Sequence, residues 1–122
     1  MPVRTFIIDD SDAMVRSLSD FLKSLSGVAF AGSASSGPDG VAACRQIQPD
    51  LVLVDFAMPG MNGFEAALRI RRACPTCRVI IVSQYCRLLA DAGPWPEVEA
   101  VVDKLEAGFE LPGLIAKLFP AP

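Results

Sequence analysis

Histidine is missing from all 122 residues. With it go histidine-ligated metal sites and the side chain most used for acid–base chemistry near neutral pH. Charge is sparse as well. Charged residues make up 20% of the chain and hydrophobic residues 52%, which excludes a disordered, solvating chain and supplies a real core. Eleven Lys and Arg face fourteen Asp and Glu, a net charge of −3. No basic patch is present, so direct nucleic-acid binding is not expected. No apolar run approaches a membrane span, and the first residues do not form a secretory signal. The expectation is one soluble, cytoplasmic domain over residues 1–122, with no membrane contact.

Four cysteines are present: Cys44, Cys74, Cys77 and Cys86. Without a secretory signal they are read as reduced thiols. Cys74-Pro75-Thr76-Cys77 has the spacing of redox motifs and of half a zinc site. A redox pair of that kind opens a helix after a strand, whereas this one lies between a helical segment and a strand. Two small residues in a tight loop is the simpler reading, and a redox or zinc protein is the competing one.

Along the chain, strand and helix patterns alternate. Val3–Ile8 is a compact apolar strand, and Ser11 or Asp12 can cap a helix carrying Met14, Leu18, Phe21, Leu22 and Leu25 at helical spacing. Val28–Ala34 is a weaker strand. Ser36 caps a second helix with Pro38 in its first turn and Val41, Cys44 and Ile47 inward. Leu51–Val54 is the third strand, followed by a helix over residues 63–73 with Phe64, Ala67, Leu68 and Ile70 as its apolar set. Val79–Val82 is the fourth strand, Cys86–Ala92 a short helix, Val98–Val102 the fifth strand and Leu111–Phe119 the last helix. The first, third and fourth strands are almost wholly apolar, as parallel strands covered on both faces are. The pattern predicts one open α/β sheet.

Ligands of such sheets sit beyond the carboxyl ends of the strands. There the sequence places Asp9 and Asp10 after the first strand, Asp55 after the third, Ser83 after the fourth and Lys104 after the fifth. Three carboxylates in one pocket stay ionised together only beside compensating positive charge. One lysine is insufficient for three acids. A hard divalent cation such as Mg²⁺ suits an all-oxygen donor set. An aspartate beside Mg²⁺ and an ammonium is also a plausible nucleophile toward a phosphoryl group.

These residues, with the loop Met58-Pro59-Gly60-Met61-Asn62-Gly63 that follows Asp55, resemble the receiver domain of two-component response regulators over residues 3–119. The resemblance implies a flavodoxin-like fold, an open five-stranded parallel sheet in the order 2-1-3-4-5 flanked by five helices. It implies Asp55 as phosphoacceptor, Asp10 as a direct Mg²⁺ ligand, Asp9 as a mostly water-mediated one, and the Ala57 carbonyl completing the metal site. Ser83 would be the switch hydroxyl and Lys104 the phosphate-pairing lysine. The implied partners are a histidine kinase or phosphotransfer protein, and a downstream protein or fused output domain. A homodimer through the face of the fourth helix, fifth strand and fifth helix is a further expectation. Turnover would be limited to the domain's own phosphorylation and dephosphorylation.

The departures from that family cluster in the second half. Leu105 follows the lysine where proline is usual, and Lys104 is expected either re-aimed or held by a strained bond. Gln84 stands after Ser83 where a very small residue is usual, and Val101 replaces a Tyr or Phe whose ring moves with the switch hydroxyl. Pro94-Trp95-Pro96-Glu97-Val98 replaces a small-residue segment, and Pro112-Gly113 opens the last helix. Tyr85 and Trp95 are then the nearest candidates for a rerouted switch. The alternative reading is a degenerate receiver that acts as a constitutive interaction or dimerisation module.

Overall fold

The apolar runs assemble into one parallel sheet. A computed structural model of the protein describes residues 1–93 and 95–121, leaving aside the side chains of Ala90 and Ala92. In chain order the elements are β1 (Val3–Ile8), α1 (Asp12–Ser24), β2 (Val28–Ala34), α2 (Gly37–Ile47), β3 (Leu51–Asp55), α3 (Gly63–Ala73), β4 (Arg78–Ser83), α4 (Cys86–Ala92), β5 (Ala100–Asp103) and α5 (Ala107–Leu118). The strand order is β2-β1-β3-β4-β5, all neighbours parallel. Every strand therefore ends on the same edge of the sheet.

Strand side chains alternate between faces, and the two sets found two helix layers. Phe6, Ile8, Val52, Val54, Val79 and Ile81 pack with Cys44 of α2, Ala66, Ala67 and Ile70 of α3, and Leu89 of α4. Ile7, Leu51, Leu53, Ile80 and Val82 pack on the other face with Leu18 and Leu22 of α1 and Ala107, Leu111 and Ile115 of α5. Ser11 caps α1 by accepting from the Met14 amide, Ser36 caps α2 by accepting from Asp39, and Asn62 caps α3 by accepting from Glu65. β2 is an edge strand and only half-buried.

Three expectations shift. The fifth strand is Ala100–Asp103 rather than 98–102, because the Val98 amide closes a turn onto the Trp95 carbonyl at 3.0 Å and is lost to the ladder. The last helix starts at Ala107, four residues before the expected Leu111. Ala107, Leu111 and Ile115 make one buried stripe, so Pro112 falls in the helix interior. Its missing N–H would have met the Gly108 carbonyl, and Gly108 is exposed, leaving that carbonyl to water. Leu68 stays 36% exposed at the rim, while Ala66 is fully buried. Pro94, named in the loop before β5, lies outside the described residues.

Candidate functional site

The shared carboxyl edge brings Asp9, Asp10 and Asp55 together. Each offers a carboxylate oxygen, and these atoms lie within 4.8 Å of one another. Among the described residues this is the one group of three metal-capable side chains. Asp55 is the last residue of β3 and 5% exposed, and Asp9 is 2% exposed. Asp10 faces solvent. The Asp9 carboxylate accepts from the Ser11 amide at 2.9 Å, which also turns the chain into α1. Lys104, one residue past β5, places its Nζ 3.3 Å from Asp9 Oδ2 and 3.4 Å from Asp55 Oδ1. The lysine is thus aimed into the acids without the proline.

Burial pushes the Asp55 pKa above its ordinary value and Asp9 adds to this. The Lys104 ammonium and the Ala57 amide oppose the rise without cancelling it. Burial works against the Lys104 charge, but Asp9 and Asp55 outweigh it and its pKa is raised. Three carboxylates and one ammonium leave two negative charges uncompensated, all on hard oxygens. That donor set fits Mg²⁺.

The profile of the response regulator receiver domain matches residues 5–92, spanning β1 to α4 and including the three acids. The chain belongs to the response regulator receiver domain family. It is 28% identical over 85 residues to the response regulator protein VraR of Staphylococcus saprophyticus, covering 70% of this chain and 41% of that protein. It is 40% identical over 83 residues to a protein-glutamate methylesterase/protein-glutamine glutaminase of Natronomonas pharaonis, covering 68% and 23%. The chain thus spans less than half the length of either relative. The response regulator domain of Thermotoga maritima CheB superposes with a TM-score of 0.85 at 23% identity, covering 100% of both chains. A DNA-binding response regulator of the LuxR family from Staphylococcus aureus gives 0.83 at 25% identity, covering 95% of this chain and 98% of that one.

The remaining expected residues of this receiver domain take the following places. Ser83 ends β4 and is 1% exposed, and its Oγ accepts from the Tyr85 amide at 3.0 Å and, among the described residues, makes no hydrogen bond to the three acids. Ala57 is exposed beside Asp55, and Gln84 is exposed past Ser83. Val101 is partly buried against the α2–α3–α4 layer together with Val98. Trp95 stacks on Phe64 of α3, centroids 3.6 Å apart and planes 14° apart, and Phe64 meets Phe56 edge-on at 5.3 Å. An aromatic row therefore runs from the residue after Asp55 to the loop before β5, which no local pattern announces. Cys74 and Cys77 are fully buried. The Cys77 amide closes onto the Cys74 carbonyl at 3.1 Å. Burial first, and Cys74 second, raise the Cys44 pKa to about 12, and the Cys77 thiol is pushed up the same way. The raised pKa values keep Cys44 and Cys77 in the thiol form, which suits packing rather than nucleophilic attack. No helix among the described residues is long and apolar enough to cross a membrane.

Proposed function

We propose that this receiver domain takes a phosphoryl group on Asp55 from a phosphohistidine of a histidine kinase or phosphotransfer protein and switches a downstream protein or fused output domain. The observation that carries the reading is the meeting of Asp9, Asp10, Asp55 and the Lys104 ammonium at one end of the sheet. An Asp55 carboxylate oxygen forms the bond to phosphorus as the bond from phosphorus to the donor imidazole nitrogen breaks. The pair of electrons leaves with that imidazole. Asp9, Asp10, Asp55 and the Ala57 carbonyl are the groups that would hold Mg²⁺, which when bound supplies positive charge against the phosphoryl oxygens. Lys104, paired with Asp55 at 3.4 Å, is within reach of an oxygen of the acyl phosphate. Ser83 would turn its hydroxyl from the Tyr85 amide toward that group. The domain transforms no substrate other than itself.

Tyr85, Leu88, Leu105 and Phe109 are exposed large apolar residues at α4, after β5 and on α5. They favour this face for the downstream partner or for a homodimer. With a net charge of −3, direct DNA contact belongs to any output domain rather than to this one. The same exposed residues, together with Ser83 being held by Tyr85, favour the second reading, a degenerate receiver that binds constitutively. Intact mass after Mg²⁺ and acetyl phosphate or phosphoramidate separates the two. Gain of one phosphoryl mass by wild type and none by Asp55→Asn supports phosphoacceptance; no gain by wild type supports the degenerate reading.

A further inference from the structure

Lys104 has to be held without the rigidity of a proline after it, and the surrounding backbone suggests how. Its own N–H donates to the Ser83 carbonyl at 3.2 Å, and the Glu106 N–H donates to the Asp103 carbonyl at 3.0 Å. Between them, the N–H of Leu105 donates to the Asp103 carboxylate, Oδ1, at 2.8 Å. This is an aspartate bonding the amide two residues on, which closes a turn around the residue between. That enclosed residue is Lys104. The other oxygen of the same carboxylate, Oδ2, accepts from the Cys86 thiol at 3.6 Å, at the first residue of α4. Asp103 is also the residue paired with Ser83 across the sheet.

We infer that Asp103 is a positioning residue for Lys104. Its carboxylate fixes the backbone on the far side of the lysine, as Ser83 fixes the near side, and so aims the ammonium at Asp9 and Asp55. The inference rests on Lys104 serving phosphoryl transfer as proposed above. The ammonium bridges two carboxylates at 3.3 and 3.4 Å from the end of a long, flexible stem, so fixing the backbone at its base narrows the arrangements that the stem samples. Asp103 is outside the acid cluster, so its charge is not needed for the metal. What matters is an acceptor oxygen one methylene from the backbone, and both aspartate and asparagine carry one.

The test compares two conservative variants. Asp103→Asn keeps the acceptor and removes the charge, whereas Asp103→Glu keeps the charge and places it too far out to close the turn. Uptake of phosphoryl from phosphoramidate with saturating Mg²⁺ is followed by intact mass, and protection of the Leu105 amide by hydrogen exchange. The expected result is wild-type uptake and a protected amide in Asp103→Asn. In Asp103→Glu, uptake slows about tenfold and Leu105 exchanges freely. Slow uptake in Asp103→Asn, or wild-type uptake in Asp103→Glu, overturns the positioning role while leaving the phosphoacceptor reading in place. Absence of uptake by wild type overturns that reading, and this role with it.

Discussion

Replacing Asp55 by asparagine should raise the stability of the metal-free protein. The carboxylate is 5% exposed and lies no more than 4.8 Å from a carboxylate oxygen of Asp9, a repulsion of about 3.5 kcal/mol at an effective dielectric constant of ~20. Lys104, at 3.4 Å, returns about 5 kcal/mol on the same scale. The attraction leads the Asp9 repulsion by about 1.5 kcal/mol, a margin that Asp10, solvent-screened at a similar distance, narrows, so burial decides. Withdrawing a carboxylate from water costs several kcal/mol even after relaxation, and burial leads the causes that raise the Asp55 pKa. Asparagine keeps the shape and removes the charge, while Lys104 retains Asp9. The expected gain is about 1–2 kcal/mol, or roughly 4–8 °C in Tm for a domain of this size. The pH dependence has a definite sign. A pKa raised above the ordinary 3.8 means that the native state binds the proton more tightly than the unfolded chain. Wild type therefore recovers stability as pH falls through the raised pKa. The advantage of Asp55→Asn is full at pH 7 and shrinks toward pH 4. Circular-dichroism melts in EDTA at both pH values measure it. Adding Mg²⁺ should stabilise wild type more than the variant. An Asp55→Asn protein that melts at or below wild type in EDTA at pH 7, or an advantage undiminished at pH 4, would refute the reasoning.

Three further outcomes are expected. Gly63→Ala should lose about 1–3 kcal/mol in urea unfolding and slow phosphorylation, because the added Cβ would sit 2.9 Å from Phe56 Cα and 3.0 Å from the Asp55 carbonyl oxygen; wild-type stability would show that this approach has slack. Replacing Cys74 and Cys77 together by serine should leave phosphorylation intact and lower stability by about 1–3 kcal/mol, since the new hydroxyls can donate to the Pro49 and Arg78 carbonyls that the thiols already face; loss of phosphorylation in a folded variant would restore the redox or metal reading. Emission from Trp95, the sole tryptophan, should change on adding Mg²⁺ and beryllofluoride, because the row Phe56–Phe64–Trp95 starts beside Asp55 and nearly eclipsed rings have an offset arrangement close by; a silent Trp95 at saturating beryllofluoride would show that the loop after Asp55 does not reach it.

Sequence by itself determined the strands of the sheet centre and the acids at their ends. A buried parallel strand is a short, nearly unbroken apolar run, so Leu51 to Val54 marks both its course and its end at Asp55, and Phe6 to Ile8 does the same before Asp9, although Arg4 and Thr5 interrupt the start of that strand. Parallel order then puts those ends on one edge, and the meeting of Asp9, Asp10 and Asp55 follows. Periodicity was weaker where neighbours, not local pattern, set the boundary. Ala107 and Gly108 read as a loop until Leu111 and Ile115 supply the buried stripe they continue, and Val98 has strand character but spends its amide on Trp95. Only the tertiary structure decided which polar group faces which. It turned Ser83 toward Tyr85, stacked Trp95 on Phe64 and set Asp103 against the Leu105 amide that a proline would lack. The reason is physical: an apolar run carries its own burial in its composition, whereas a hydrogen bond or a ring stack depends on where separate chain segments come to rest against each other, to within a few tenths of an ångström.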